Sequence, residues 1–228
     1  DNRMAAVGRR AQQMIGKGGN MIRTVRPLRD GVIADFYACE MMIRGMIRMI
    51  PQPTRLFTPS IRMVVCIPSG STEVEIRAVR DSSEHAGARE VYMIYEPMAA
   101  AIGMGIDVES PEGCMIVDIG GGTTEIAVIS LGGIVSNKSI KIAGDDLNAD
   151  IIEYMGRIHN IRIDEPTAER IKIQVGSALP VLEDAPEDYI VIGPNKVTAL
   201  PMQVPVSYQE IAHCLEKSIA KIEGAILN

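Results

Sequence analysis

The residues best equipped for chemistry occupy positions 117–128, where the sequence reads VDIGGGTTEIAV. Asp118 brings a carboxylate to the start of three consecutive glycines, and two threonine hydroxyls follow them. Because glycine has no Cβ, the backbone amides of such a run can approach an anion closely. The pattern predicts a phosphate clamp with a carboxylate available for a partner cation. The alternative is an ordinary glycine hairpin between two strands, which binds nothing.

The segments that flank the glycines define the kind of phosphate loop. Residues 115–117 form an apolar run typical of a buried strand, and residues 123–129 alternate as a second strand does. The glycines of a Walker loop or a Rossmann fingerprint join a strand to a helix. Here they join two strands, so the sequence predicts a different phosphate-binding hairpin.

Polar residues at three other predicted helices are candidates for the same site. Glu96 follows a predicted strand and opens a helix, where the helix dipole favours a carboxylate that can orient and deprotonate water. Gly144 and Asp145 lie at another predicted helix start, which suits a phosphate or ribose contact. Glu169 and Lys172 are three residues apart on one helix face, so both can reach one ligand. The plain alternatives are a first-turn glutamate, an N-cap and an exposed ion pair.

The order of the predicted elements favours an α/β fold, because strands and helices alternate up to Asp118. Helices are predicted at residues 2–15, 36–50 with Asp35 as N-cap, 71–86, 98–104, 143–158, 167–177 and 208–227. Strands are predicted at residues 21–26, 62–67, 91–95, 115–117, 123–129, 134–142, 189–192 and 197–200. A domain boundary is expected at residues 105–113.

Composition narrows the class of protein. The 228 residues carry a net charge of −6 and contain no run of 18 apolar residues, so no membrane-spanning helix is expected. The four cysteines are far apart in apolar segments, which predicts reduced core thiols in a cytosol rather than disulfides or a zinc site. The chain has no tryptophan and few aromatic residues, so no nucleic-acid partner is expected.

Basic residues concentrate in the first part of the chain. Residues 1–62 carry 11 Lys and Arg against 4 Asp and Glu, whereas the remainder carries 12 and 25. This asymmetry is consistent with a face for an anionic partner such as membrane lipid. Arginines that merely solvate helix faces are the alternative.

Five segments resemble the actin-like ATPases, and within them the MreB-like proteins. Sugar kinases and heat-shock chaperone ATPases share the glycine hairpin but lack the RPLRDGVIAD segment. The resemblance covers nearly all of the chain. The matching segments are residues 26–35 (RPLRDGVIAD), 96–103 (EPMAAAIG), 117–125 (VDIGGGTTE), 143–145 (AGD) and 167–172 (TAERIK).

The resemblance implies the actin-like ATPase (ribonuclease H-like) fold, an α/β architecture of two mixed-sheet domains flanked by helices. Its implied parts are a remainder of subdomain IB with a connector (1–34), subdomain IA (35–108), the first part of IIA (109–145), IIB (146–205) and a helix returning to IIA (206–228). Family members begin with a strand that carries a first phosphate loop and end with a glycine-rich adenosine loop. The resemblance therefore implies an internal piece, incomplete at both ends, for which hydrolysis on its own is in doubt.

The resemblance also implies a role for each candidate residue around ATP or ADP. Asp118 would hold Mg²⁺ through water, while Thr124 and Glu96 would position the attacking water. The residues that would wrap the β- and γ-phosphates are Gly120, Gly121, Gly122 and Thr123. The residues that would lie near the phosphates, ribose and adenosine are Gly144, Asp145, Glu169 and Lys172. Hydrolysis would proceed by positioning and electrostatics, slowly and coupled to polymerisation.

The implied biology is that of a cytoskeletal protein in the bacterial cytoplasm, peripheral on the inner face of the cytoplasmic membrane. Its expected partners are copies of itself in paired head-to-tail filaments, anionic inner-membrane lipid, and membrane proteins of the cell-wall synthesis machinery. Leu56 and Phe57 match the family's membrane-inserting loop, and two apolar side chains between Arg55 and Arg62 suit an anionic bilayer. Packing of both side chains into the core is the alternative.

The sequence is compatible with two other functions. A non-hydrolysing member of the same fold would act as a membrane adaptor or scaffold, and it could dispense with Glu96. A metabolic sugar or acetate kinase would need a substrate-binding insertion with convergent polar groups, and the sequence contains none.

Overall fold

The structure, a computed structural model, describes residues 4–17, 22–51 and 60–228. The helices are α1 (Arg9–Gln12), α2 (Phe36–Met49), α3 (Glu73–His85), α4 (Glu96–Gly103), α5 (Gly144–Ile158), α6 (Glu165–Val175) and α7 (Tyr208–Ile226). The strands are β1 (Leu28–Arg29), β2 (Val32–Ile33), β3 (Ile61–Ile67), β4 (Ala88–Tyr95), β5 (Cys114–Ile119), β6 (Thr124–Ser130), β7 (Gly133–Ile140), β8 (Tyr189–Pro194) and β9 (Pro201–Val206).

Backbone contacts divide the chain into two compact units. The first unit takes in the described residues up to Asp118 together with Glu125–Ser139, and the second consists of Ile119–Thr124 and Ile140–Asn228. The boundary predicted at residues 105–113 lies inside the first unit. The finer division into subdomains stays a prediction.

A strand–helix–strand arrangement leads to Glu96 in the first unit. Strands β3 and β4 pair in parallel, with Val64 opposite Tyr92, and α3 connects them. The Thr72 hydroxyl accepts from the Glu75 amide at 3.3 Å, and the Glu75 carboxylate accepts from the Thr72 amide at 2.7 Å. This capping box fixes the start of α3. Helix α4 follows β4 directly, which places Glu96 in its first turn.

The sheet that carries the glycines also belongs mainly to the first unit. Its strand order is β5-β6-β7, with β6 in the centre. The buried side chains of Ala101, Ile116 and Ile129 join α4 to this sheet. The core therefore holds α4 against the strands on both sides of the glycines.

Helices α5, α6 and α7 and the hairpin β8–β9 build the second unit. Strands β8 and β9 are antiparallel, with Val191 opposite Val204. One face of each element is apolar, and these faces meet in a core where Ile151, Ile171 and Ile211 are fully buried. The burial of these apolar side chains holds α5 and α6 in place. These two helices carry the candidate residues after position 143.

The first predicted elements differ from those of the structure. Helix α1 spans Arg9–Gln12 rather than residues 2–15, and residues 22–27 form no strand. The connector at residues 27–34 contains the small hairpin β1–β2 instead. Asp30 and Gly31 form its turn with φ of 50° and 75°, as expected of an Asp-Gly pair.

The second strand of the last hairpin is also displaced from its predicted position. It spans Pro201–Val206, and residues 197–200 lie in the turn. The side chain of Asn195 accepts from the amides of Val197 and Thr198 at 2.9 and 3.0 Å, which curls the backbone there. Pro201 and Pro205 have no backbone N–H to donate, and a two-stranded sheet tolerates them because it has only edge strands.

Most other predicted helices and strands are confirmed, with ends shifted by a few residues. Asp35 caps α2 as predicted, since its carboxylate accepts from the Ala38 amide at 2.9 Å. Of the four cysteines, all free thiols, only Cys39 is buried; Cys66 is exposed, so the prediction of core thiols was wrong for it. Among the described residues, every helix is too short or too polar to span a lipid bilayer.

Candidate functional site

The glycine turn, Ile119–Thr124, reverses the chain between β5 and β6. The amide of Gly120 donates to the carbonyl of Thr123 at 2.9 Å and closes the turn. Among the described residues, the amides of Gly121, Gly122 and Thr123 donate to no backbone carbonyl in a turn, loop or cap. A Cβ on Gly120 would approach the Thr123 carbonyl oxygen to 3.2 Å. The turn therefore requires glycine for close approach, and it offers three amides in a row to an anion.

The start of α5 is fastened to the glycine turn. The amide of Gly144 donates to the carbonyl of Gly120 at 3.1 Å, and the amide of Asp145 donates to that of Gly121 at 2.7 Å. The Asp145 carboxylate also approaches Gly121, with Oδ2 3.7 Å from the position that a Cβ would occupy. Both predicted residues of the 143–145 segment therefore contact the turn, and α5 contributes the positive end of its dipole there.

Lys172 connects α6 to the same place. Its Nζ donates to the carbonyl of Gly144 at 3.0 Å and lies 2.8 Å from Glu169 Oε2. The amide nitrogen of Asn148, which is 3% exposed, donates to Glu169 at 2.8 Å. Burial acts to raise the pKa of Glu169, but the hydrogen bonds from Lys172 and Asn148 outweigh it, and the pKa is lowered. Glu169 is therefore held as a carboxylate beside a fixed ammonium group.

Thr124 ends the glycine turn and is fully buried. Its hydroxyl donates to the carbonyl of Ile142 at 2.7 Å. The proton of this hydroxyl is thus engaged, while lone pairs of its oxygen can still accept a hydrogen bond.

Glu96 belongs to the first unit, together with Asp118 and Glu125. Burial raises the pKa of Glu96, and the negative charges of Glu125 and Asp118 raise it further. A raised pKa brings a carboxylate closer to the range in which it can accept a proton at neutral pH. Asp118 is a carboxylate of the kind that Mg²⁺ uses, since this ion takes one or two protein carboxylates and completes its shell with phosphate and water. No group of three or more metal-ligating side chains occurs in the described part of the chain.

Sequence reasoning assigned no role to Glu125 or Asn148. Glu125, the second residue of the central strand β6, is 1% exposed, and Asn148 is buried in α5. A glutamate inside the alternating strand at residues 123–129 was the available signal for the first. The second carries no sequence signal, because only the packing of α5 against α6 brings Asn148 to Glu169.

The structure thus brings most predicted site residues together within their own units. The phosphate, ribose and adenosine candidates of the second unit share one hydrogen-bonded network, and Glu96 and Asp118 of the first unit interact through their charges. Leu56 and Phe57, the predicted membrane residues, lie outside the described residues.

Comparison with protein families gives a match over the whole chain. A family model described as MreB/Mbl protein matches residues 1–228. The cell shape-determining protein MreB of Escherichia coli strain K12 is 45% identical over 224 residues, which cover 98% of this chain and 64% of that protein. The cell shape-determining protein Mbl of Bacillus subtilis strain 168 is 42% identical, with 98% and 66% covered. The chain thus spans about two thirds of the length of these relatives.

Solved structures match the fold over nearly the whole chain. MreB5 of Spiroplasma citri bound to AMPPNP has a TM-score of 0.89 at 35% identity, covering 99% of this chain and 67% of that one. The same protein bound to ADP gives a TM-score of 0.88. A chain of the MamK double helical filament gives 0.73 at 19% identity, covering 96% and 64%, a likeness of fold alone.

Proposed function

This chain belongs to the MreB/Mbl family and has the actin-like fold, and on that premise we propose that the protein is an ATP-binding cytoskeletal protein whose filaments determine rod cell shape. The proposal rests on one observation above all. In the described turns and loops, the three consecutive amides from Gly121 to Thr123 donate to no backbone carbonyl. The first two residues of α5 are hydrogen-bonded to the same turn.

Those three amides suit the β- and γ-phosphates of a nucleotide. Each can donate to a phosphate oxygen, and the N-terminus of α5 adds positive potential. The amide of Gly120 closes the turn, so its contribution is to shape the turn. The relative MreB5 of Spiroplasma citri, crystallised with AMPPNP and with ADP, supports adenine nucleotide as the ligand. In this proposal Gly144 and Asp145 adjoin the phosphates and ribose, and Glu169 and Lys172 adjoin the adenosine.

Asp118 and Glu96 supply the remaining chemistry. Asp118, which directly precedes the glycine turn, would hold Mg²⁺ through water, and the ion would neutralise phosphate charge. Glu96 would orient the attacking water and accept its proton, a task that its raised pKa favours. The oxygen of Thr124 would accept a hydrogen bond from the same water. The resulting ATPase would be slow and coupled to polymerisation.

Assembly and membrane attachment complete the proposal. Head-to-tail association of identical subunits gives an open filament, because the two contacting faces differ. Such filaments would pair, lie on anionic lipid at the inner face of the cytoplasmic membrane, and organise cell-wall synthesis through membrane proteins. The exposed Leu56–Phe57 pair expected from the sequence, between Arg55 and Arg62, would insert into the lipid interface.

A second candidate function is a non-hydrolysing adaptor of the same fold. The carboxylate of Glu96 distinguishes a hydrolase from an adaptor. A hydrolase needs a general base with a raised pKa, whereas an adaptor that binds nucleotide without cleaving it does not. The environment of Glu96 therefore favours the hydrolase.

The test is made on the full-length protein with Mg²⁺-ATP. Glu96→Ala is expected to leave the dissociation constant for ATP within about twofold while lowering the rate of phosphate release about 100-fold or more, as for loss of a general base. Exposed Glu112 provides the matched control, Glu112→Ala, with wild-type rates expected. Unchanged turnover of Glu96→Ala would remove the assigned base, and failure of the wild type to bind ATP would overturn the proposed function.

A further inference from the structure

The carboxylate of Glu125 is buried in β6 with only 1% of the residue exposed. A buried carboxylate is costly unless hydrogen bonds replace its hydration. The geometry of a strand needs no charge at this position, because the neighbours Ile126 and Ala127 are apolar and also buried. Glu125 therefore has a role at this position other than packing.

Three donors surround this carboxylate. Oε2 accepts from the Ser69 amide at 3.0 Å and from the Ser69 hydroxyl, and Oε1 accepts from the Ser139 hydroxyl at 2.5 Å. Both oxygens are thus held, and every donor is neutral. These hydrogen bonds replace part of the hydration that the carboxylate loses on burial.

These bonds fasten separate parts of the first unit to β6. Ser69 lies in the segment between β3 and α3, and Ser139 lies on β7. The side chain of Ser139 also faces Gly70, where a Cβ would come within 3.4 Å of Ser139 Cβ. The segment at residues 68–71 therefore packs closely over this end of the sheet, and Glu125 is the group that binds it there.

The charge of Glu125 acts on Glu96. It opposes ionisation of the Glu96 carboxyl, and in this it acts together with Asp118. The effect of Glu125 on the ionisation of Glu96 stays constant only if the Glu125 carboxylate keeps its position. The hydrogen bonds from Ser69 and Ser139 keep it there.

We propose that Glu125 is a positioning residue for Glu96: Ser69 and Ser139 hold its carboxylate, and the held carboxylate fastens the 68–71 segment and keeps a constant negative charge within reach of the proposed base. This role rests on the proposed function, since it presupposes that Glu96 activates water. Glu125 is buried, and in this proposal it acts through Glu96 and is not itself a catalytic residue.

The test separates nucleotide binding from hydrolysis in the full-length protein. Glu125→Gln replaces one acceptor oxygen by a donor, which faces the donors of Ser69 or Ser139. We expect the dissociation constant for AMPPNP to stay within about twofold and single-turnover cleavage of ATP to slow about tenfold or more, as for a misplaced reacting group. Ser69→Ala is expected to slow cleavage in the same direction, and Ser69→Thr, which keeps the hydroxyl, to recover most of the rate.

A matched control lies on the same strand. The Ser130 hydroxyl donates to the Pro111 carbonyl at 3.0 Å, so Ser130→Ala also removes one hydrogen bond from β6. It is expected to cleave ATP at the wild-type rate. Equal cleavage rates for Glu125→Gln and the wild type would overturn the proposal. So would a Ser69→Thr variant as slow as Ser69→Ala, because the hydroxyl would then have no part.

A measurement without nucleotide distinguishes this inference from the proposed function. Amide hydrogen exchange at residues 69–71 is expected to be faster in Glu125→Gln than in the wild type, while exchange in α6 stays unchanged. Unchanged exchange at residues 69–71 would show that Glu125 does not fasten this segment. If the full-length wild type cleaved no ATP, the proposed function would fail and the positioning role with it, whereas faster exchange would still establish the tether.

Discussion

The amide of Gly144 donates to the carbonyl of Gly120 at 3.1 Å, so the first residue of α5 is bonded directly to the turn that precedes β6. The carbonyl of the same Gly144 accepts from Lys172 at 3.0 Å. One glycine thereby links the proposed phosphate site to the helix that carries the proposed adenosine residues.

Gly144→Ala is expected to weaken ATP binding. A Cβ would come within 3.2 Å of both the Gly120 carbonyl oxygen and Lys172 Nζ. The lysine can move aside, but the carbonyl is part of the glycine turn and moves only with it. Overpacking of this kind costs about 1–2 kcal/mol, which corresponds to roughly tenfold in affinity. Isothermal titration with ATP measures the effect.

Gly224→Ala is the control for that substitution. Gly224 lies in α7 of the same unit, where a Cβ would meet nothing within 4 Å. Alanine at this position is expected to leave ATP affinity unchanged and to stabilise the helix by roughly 0.5–1 kcal/mol. Equal affinities of the two variants would show that the Gly120–Gly144 contact has no bearing on nucleotide.

Lys172→Met is expected to lower the free energy of unfolding at neutral pH. The pKa of Glu169 is lowered in the folded protein, so its carboxylate stabilises the fold above its ordinary pKa of 4.5, and this stabilisation is lost as the pH falls through the folded-state value. Glu169 is 43% exposed, so solvent screening limits the loss to about 1 kcal/mol. The difference between variant and wild type should shrink toward pH 3 in urea titrations, with exposed Lys221→Met as control. A difference independent of pH would contradict this account.

Glu96→Gln is expected to gain stability relative to the wild type as the pH rises. Burial, followed by the charges of Glu125 and Asp118, raises the pKa of Glu96 above its ordinary value of 4.5. The folded state then holds this proton more tightly than the unfolded chain does. Its stabilising effect is complete below pH 4.5 and disappears as the pH rises through the folded-state pKa. Urea midpoints measured from pH 4 to pH 8 would show parallel curves if the pKa were not raised.

Ile171→Ala is expected to destabilise the second unit by about 2–5 kcal/mol, because Ile171 is fully buried and its loss leaves a cavity. Ile173, two residues away on α6, is 67% exposed. Ile173→Ala should change the free energy of unfolding by about 0.5 kcal/mol or less. If chemical denaturation showed the same loss of unfolding free energy for both variants, α6 would pack through a different face.

Replacing Leu56 and Phe57 by serine is expected to abolish co-sedimentation of the full-length protein with vesicles rich in anionic lipid. In the proposed attachment, the two apolar side chains would supply the insertion energy, and arginines alone would bind weakly at physiological salt. Leu131→Ser with Val135→Ser removes two exposed apolar side chains elsewhere and should leave binding intact. Persistent binding of the Leu56–Phe57 variant would assign the lipid contact to another surface.

The sequence predicted helices, strands and turns correctly where a residue type strongly favours one local structure. Three glycines between apolar segments predicted a strand–turn–strand, and Asp35 predicted a helix start because its carboxylate can accept an amide. It failed at residues 197–200, where apolar alternation suggested a strand but the Asn195 side chain turned the backbone. Period-two patterns cannot tell a strand from a turn that exposes the same side chains.

Sequence alone therefore determined the family, the glycine turn and the identity of the charged candidates, because motif and spacing are properties of the chain itself. The tertiary structure decided how those candidates are held. Only packing could bond Gly144 to Gly120, bring Asn148 to Glu169, or surround Glu125 with Ser69 and Ser139, which lie 56 and 14 residues away along the chain. Such hydrogen bonds depend on where helices and strands meet in space. The spacing of residues along the chain does not reveal these meeting points.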